Sequence, residues 1–427
     1  MNLFGPLSAR PVQPSPEMAL VLLCARTRMD AEQRHRIAGL AGGTIEWARV
    51  IDLAQRHGVL PLVYRSVHTA CGGVVPQSVL DRLRIDYHRN LARNLALTHE
   101  LLRVLALLNA EGVDAIPFKG PVLAVAVYGD LALRQAGDLD LLVRASDFLK
   151  AKDILLHDGF RPTVDLRPSQ GWNRLPGERE YDFISPATRI LIELHWDVTP
   201  ARFATNFDLT RIWKQLRHVN LAGTEVLTLC PEDTLLTLCA HGAKHIWSRL
   251  AWVCDVAEMV RDGDDLDWDT VLESAKSVSC ERLLALGLAL AKSLLDARMP
   301  QIVLADMRRD RRVPSIANSL AARLLAEPPQ RSTELQATFI RYQFRDRVLD
   351  GFKDTFRLIF YPILADWTFW HLPARWSFLY PILRPLRLAI ELLLRPLLSS
   401  LRMPWHGRGD TNVTFRRTEQ RKSGLVE

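Results

Sequence analysis

The spacing of hydrophobic positions changes period twice along the chain. From Glu17 to about Gly112 apolar residues recur at helical intervals. The pattern is clearest from Leu91 to Ala110, where Leu91, Leu95, Leu102, Leu105 and Leu108 stand three, four or seven apart. Gly112 follows as a helix stop. Strands and helices then alternate. Val113–Phe118 predicts a short strand, and Gly120-Pro121 a helix start, with proline in the first turn that tolerates it. Leu139–Val143 predicts a buried strand; Ser146 is expected to cap a helix to about His157, and Gly159 to end it. Tyr181–Ser185 and Arg189–Trp196 predict two strands joined by Pro186-Ala187-Thr188. Helical spacing returns at Pro231-Glu232-Asp233, whose acids favour a helix start, and continues to about Asp350. Phe352–Trp405 is rich in Trp, Phe, Leu, Pro and Arg, and Pro362, Pro373, Pro381, Pro385 and Pro396 are expected to break any long helix there.

These changes predict an α+β protein in which a small mixed sheet is flanked by helical regions before and after it. A chain of 427 residues exceeds one ordinary core, so several units are expected. They are a disordered leader (1–16), an N-terminal helical region (17–112), an α/β core (113–228), a helical domain (229–350), an aromatic, Pro- and Arg-rich helical segment (351–405) and a basic disordered tail (406–427). Hydrophobic residues at 48% against 24% charged are the balance of a folded, soluble protein. The net charge of +7 is uneven: from Arg384 to Glu427 nine basic residues face four acidic ones. A basic end suits an anionic membrane surface or a phosphate-rich partner, and equally a solvated tail. The six cysteines show no CxxC spacing and lie in apolar contexts, which predicts reduced, buried thiols of a cytoplasmic protein. The N-terminus lacks a basic start followed by an apolar run, so no signal peptide is expected, and Asn412-Val413-Thr414 means little without secretion. No apolar run approaches the roughly 18–20 residues that span a bilayer.

The chemistry concentrates between Lys119 and Trp196. Asp138 and Asp140 stand two apart and so share one face of their strand, among Leu139, Leu141 and Leu142. Two like charges on a buried strand are costly unless a cation neutralises them. A third acid, Glu193, interrupts the apolar strand Ile190–His195 and shares its face with His195. Three carboxylates on neighbouring strands make an oxygen-rich cage suited to Mg²⁺ or Mn²⁺. Such ions activate an attacking hydroxyl and stabilise the leaving oxygens of a phosphate displacement. Lys119 and Gly120 supply a point charge and a close-approach turn ahead of a helix N-terminus, an arrangement that binds phosphate.

The run KG(x)₇Y(x)₅R(x)₃DLDLLV, completed by IELHW and later by HGAKHIWSRLAWVCDVAEMV, resembles the uncharacterised nucleotidyltransferase family of bacteria, within the polymerase-β-type superfamily. The resemblance extends from about residue 20 to residue 400. It implies a nucleotidyltransferase core at 113–228, with Gly120 as the turn glycine, Asp138 and Asp140 as the first two metal ligands and Glu193 as the third. It further implies metal-dependent transfer of NMP from an NTP such as ATP to an acceptor hydroxyl or phosphate, with release of pyrophosphate. The acceptor is open: protein, peptide, small molecule or RNA. Pro121 stands where the superfamily carries serine, and it has neither hydroxyl nor N–H. That substitution leaves a second reading, a catalytically inactive nucleotide- or partner-binding module of the same fold.

Further candidates surround this core. Arg134 is expected to hold a phosphate, or to pair with Asp130 or Asp138. His195 is expected to orient a carboxylate, contact nucleotide, act as a base, or simply to be a hydrogen-bonded core histidine. His241 and His245 share a helix face but lack the glutamate of an HExxH zinc site, so a structural or cleft-lining pair is expected. Lys244, on the same helix, is expected to reach a nucleotide phosphate. Tyr128 is expected to pack, and Asp255 to cap or pair with His241, Lys244 or His245. The aromatic and basic residues of the C-terminal segment suit either short helices wrapped onto the core or a membrane interface.

Overall fold

A computed structural model describes residues 13–164, 179–199, 207–261, 266–327, 334–346 and 348–390. Five strands, β1 (Ala115–Pro117), β2 (Leu139–Val143), β3 (Arg161–Pro162), β4 (Glu180–Ile184) and β5 (Leu191–His195), form a mixed sheet in the order β1-β2-β5-β4-β3. β2 and β5 run parallel, and every other neighbouring pair is antiparallel. The two-residue period sorts the side chains onto two unlike faces. Leu139, Leu141, Val143, Tyr181, Phe183, Ile192 and Leu194 pack on one face against Leu97, Leu101 and Val104 of the helix Gln77–Ala110. The other face carries Asp140, Glu180, Asp182, Glu193 and His195, and lies toward the helix Pro231–Lys244, whose Lys244 binds Glu180. The apolar face anchors the sheet; the polar face is left for chemistry.

Gln77–Ala110 is longer than the stretch read from Leu91, because its first turns contain neither proline nor glycine while their charges obscure the apolar stripe. A hairpin, β6 (Leu216–Leu221) and β7 (Thr224–Leu229), was not legible in the sequence. Its turn, Ala222-Gly223, has positive φ at both positions yet lacks the Asn-Gly signature; Asn220 Oδ1 accepts the Gly223 N–H at 3.0 Å instead. The hairpin is fastened to the sheet edge by the Thr228 hydroxyl, which donates to the Pro117 carbonyl at 2.7 Å.

The helices before and after the sheet share one core, in which Leu20, Leu53 and Leu62 belong with Leu235, Val253 and Leu286. His57 joins the two sides. It is buried, its carbonyl accepts the Ala251 N–H at 3.0 Å, and its Nδ1 accepts the Leu250 N–H at 3.4 Å. The first helix, Pro16–Cys24, begins where the leader was expected to end; residues 1–12 lie outside the described residues. All six cysteines are free thiols, five of them buried.

The C-terminal segment is built inside out. Its helices are Val348–Phe360, Leu364–Trp370 and Tyr380–Ala389. Asp366 is fully buried and accepts from Arg384 at 2.6 Å and Arg387 at 2.5 Å, while Trp367 stacks on Tyr380. Phe352, Phe356, Phe378 and Ile382 meanwhile face outward. Pro385 sits inside a helix rather than ending one, contrary to the sequence expectation; the helix is short, and only the bond to the Pro381 carbonyl is forgone. Pro396, Asn412 and the basic tail lie outside the described residues. Among the described residues no helix is long and apolar enough to cross a membrane.

Burial is the main influence on His57 and, reinforced by Arg56 and Arg249 against the weaker pull of Glu327 and Asp52, it lowers the ring's pKa from 6.5 to about 4. The unfolded chain therefore takes up a proton that the folded chain resists. The His57 contribution is fully present above about pH 6.5 and is lost as the pH falls toward 4. Denaturant melts should show a fall on the order of 3 kcal/mol over that window, reduced in His57→Gln, whose amide keeps an acceptor. An identical pH profile in the variant would refute the assignment.

Candidate metal and phosphate site

The parallel β2–β5 register sets Asp140 directly opposite Glu193 and Leu142 opposite His195. One ligand atom from each of Asp140, Glu193 and His195 lies within 4.8 Å of the others, and all three residues are buried. His195 Nε2 is 3.2 Å from Asp140 Oδ1 and 3.6 Å from Glu193 Oε2, but it is aligned with neither as a hydrogen bond and has no other partner. A buried imidazole nitrogen facing two carboxylates becomes, on giving up its proton, part of a donor set of the kind that divalent metals use. The residues present therefore fit a divalent cation.

A string of alternating charge crosses the polar face. Lys119 Nζ is 2.5 Å from Asp140 Oδ1, His195 meets both Asp140 and Glu180, and Lys244 Nζ binds Glu180 at 2.9 Å. Burial is the largest influence on each of the next three groups, and in each case charge outweighs it. Asp140 falls to about 2, chiefly through Lys119. Lys119 rises, chiefly through Asp140 and then Glu193. His195 rises to about 9, through Asp140 and Glu193 on Nε2 and Glu180 on Nδ1. Glu180 is lowered, burial again opposing and Lys244 prevailing.

Lys119 is the N-cap of the helix Gly120–Tyr128, and Gly120 adopts φ +60°. A Cβ at Gly120 would stand 3.0 Å from the Asp138 carbonyl oxygen, so the turn presses on the backbone that enters β2, and only glycine fits there. Asp138 itself precedes β2, half-buried, and its carboxylate is not in the group formed by Asp140, Glu193 and His195.

Arg134 does not pair with Asp130 or Asp138. Its guanidinium grips Asp255 with Nε at 2.8 Å and Nη2 at 3.0 Å, and Tyr128 donates to the same carboxylate at 2.6 Å. This knot clamps the helix after the Lys119-Gly120 turn to the helix Leu250–Arg261. It also corrects the expectation that Asp255 serves the His241 helix. Lys244 is engaged by Glu180. His241 and His245 form an aromatic group with Trp252, on which His245 stacks at 4.8 Å. Burial, followed by Lys119, holds His241 neutral, well below its ordinary value. Between the two histidines, Gly242 leaves room for the buried Trp247 ring, which a Cβ would approach to 2.6 Å.

Glu180 and Asp182 escaped the sequence reading. Their signal was the alternation in Glu180-Tyr181-Asp182-Phe183, polar and apolar by turns at the start of the strand read as Tyr181–Ser185.

A family model for an uncharacterised nucleotidyltransferase matches residues 43–296, more than half the chain and all of this site. The chain belongs to that family. Curated proteins include no match to it. Among solved structures it is similar to an antigenic nucleotidyltransferase-like protein from Paracoccidioides brasiliensis, at 17% identity over 55% of this chain and 93% of that one. The TM-score is 0.28, too low to carry an argument. The family's nucleotidyltransferase description thus coincides with a buried acidic and imidazole cluster in this member.

Asp255→Ala would strand a buried guanidinium and the Tyr128 hydroxyl. Truncating one partner of a buried pair costs about 3–5 kcal/mol, so urea unfolding should show a loss of that order. A loss below about 1 kcal/mol would show that the knot is not structural.

Proposed function

We propose that this protein transfers a nucleoside monophosphate from a nucleoside triphosphate to a hydroxyl or phosphate of an acceptor, releasing pyrophosphate. The observation that carries the reading is the buried convergence of Asp140, Glu193 and His195 within a chain of a nucleotidyltransferase family. Asp140, Glu193 and His195 would hold a divalent cation, Mg²⁺ or Mn²⁺, with Asp138 at the entrance to the strand. When bound, such an ion polarises phosphoryl oxygens and neutralises charge on the leaving group.

The chain's own residues account for the rest. An acceptor oxygen forms a bond to the α-phosphorus, and the bond from that phosphorus to the β-phosphate oxygen breaks. Glu193, a carboxylate on the buried face, is suited to receive the acceptor's proton. Lys119 and the first turn of the helix Gly120–Tyr128 offer positive charge and N–H groups to the triphosphate, although Pro121 removes one donor of that turn. Arg134 supports this turn through Asp255 rather than meeting phosphate itself.

A second observation bears on where the reaction takes place. Phe352 and Phe356 stand one helical turn apart, Phe378 and Ile382 lie on either side of the start of the helix Tyr380–Ala389, and all four are more than half exposed while Asp366, Arg384 and Arg387 are buried. Lys353 and Arg375 are exposed and stand beside Phe352 and Trp376 in the chain, and residues 391–427 carry seven basic against four acidic side chains. Outward aromatics edged by basic groups suit the anionic surface of a membrane, met from the cytoplasmic side and without insertion of a spanning helix.

Asp140→Asn should lower pyrophosphate release from an NTP with Mg²⁺ or Mn²⁺ by at least a thousandfold while circular dichroism remains that of the folded chain. Wild type that neither consumes any NTP across candidate acceptors nor binds nucleotide by calorimetry would sink the enzymatic reading. Nucleotide binding that is indifferent to metal and never turns over would favour an inactive binding module instead. For the membrane contact, the full chain should float with anionic vesicles at low salt, and Phe352→Ser with Ile382→Ser should not. Flotation unaffected by those substitutions would remove that contact surface.

A further inference from the structure

Asp140 Oδ1 is claimed twice. The Lys119 ammonium lies 2.5 Å from it, and His195 Nε2, buried and without an aligned partner, lies 3.2 Å from the same oxygen. A divalent ion held by Asp140, Glu193 and His195 would need oxygen contacts of about 2.0–2.1 Å for Mg²⁺. An ammonium on the same carboxylate oxygen and a dication at that range repel each other strongly in a site closed to water. Lys119 and Asp140 are 8% and 4% exposed, so solvent does little to screen them.

We infer that Lys119 is the resident counter-ion of this site, and that a divalent cation enters by displacing its ammonium from Asp140, which frees it for the triphosphate. The phosphate half of the exchange rests on the nucleotidyl-transfer reading; the cation half does not. The geometry of the turn supplies the reach. Lys119 is the N-cap of the helix Gly120–Tyr128 and makes no side-chain cap bond, so its four-carbon stem is not committed to the helix end. Phosphate attracted to that helix start would sit beside the same residue. Glu193 and Asp138 also attract the ammonium, which keeps it among the acids until a stronger cation arrives. In this arrangement Lys119 opposes the metal and assists the nucleotide, so removing it has opposite effects on the two ligands. A residue that only held triphosphate, or only stabilised the fold, would not produce that divergence.

The test is calorimetric titration of the full chain with Mn²⁺ alone, and separately with a Mn²⁺-loaded non-hydrolysable ATP analogue. Lys119→Met should bind Mn²⁺ alone at least tenfold more tightly than wild type, and the loaded analogue at least tenfold more weakly. A folded Lys119→Met that binds Mn²⁺ no more tightly than wild type overturns the inference. If the analogue binds neither protein, the nucleotide reading and the phosphate half fail together, while the Mn²⁺ comparison still decides the cation half. Should Lys119→Met not fold, wild-type protein carrying ¹³C-lysine gives a second readout. Its Lys119 side-chain resonance, assigned by its absence in Lys119→Arg, should shift on adding Mg²⁺ alone; a resonance that does not move overturns the exchange.

Discussion

The parallel pairing of β2 with β5 is the constraint on which the rest of the structure depends. It sets Asp140 opposite Glu193 at the same level of the ladder. Two carboxylates about 5 Å apart repel by roughly 3–4 kcal/mol at an effective dielectric near 20, before the cost of burying either one. Nothing apolar on that face can relieve the charge. Lys119, His195 and Lys244 gather around it from a turn, a strand and a helix, and two of these lie far from Asp140 in sequence. A register slip of one residue would turn every acid into the apolar face and bury it against Leu97 and Leu101. The 34-residue helix beneath the sheet is therefore part of the site's machinery, because it holds the register by demanding apolar partners.

The surrounding helices answer a second need, that of holding the Lys119-Gly120 turn still. Gly120 presses on the Asp138 carbonyl from one side. From the other, the Arg134–Asp255–Tyr128 knot fixes the helix that follows. Asp255 belongs to a helix in the same core as the N-terminal helices, joined to them through His57. The N-terminal helices, the sheet and the later helices thus act on the turn as a connected frame, although the sheet keeps an apolar cluster of its own.

The C-terminal segment applies the opposite rule to the core. Three of its charges, Asp366, Arg384 and Arg387, are interior and satisfy one another, and much of its apolar surface points outward. A single buried acid bound by two arginines fixes the approach of the last helix to the one carrying Trp367, where hydrophobic packing alone would tolerate several arrangements. That inversion frees Phe352, Phe356 and Ile382 for contact with something other than this chain.

Local pattern was enough for the elements whose signals are short-range. Leu139–Val143 was legible as a buried strand because its apolar run is interrupted only by Asp140, and Gly120-Pro121 as a helix start because each residue has one strong backbone preference. The out-of-place acids Asp140 and Glu193 marked the site for the same reason: a charge in an apolar strand is anomalous wherever it is met. Tertiary structure alone decided which charges meet. Arg134 had acidic neighbours within a few residues and chose Asp255, because the close packing of two helices brings that carboxylate nearer than the chain's own turn does. Glu180 joined the site only when antiparallel pairing laid it beside His195. Ala222-Gly223 became a hairpin turn because two strands had a sheet edge to pack on, which overrode an unfavourable alanine. The sequence determined where unusual charge would be buried. The fold determined its partners, because electrostatic partnership depends on distance in space and a sequence records only distance along the chain.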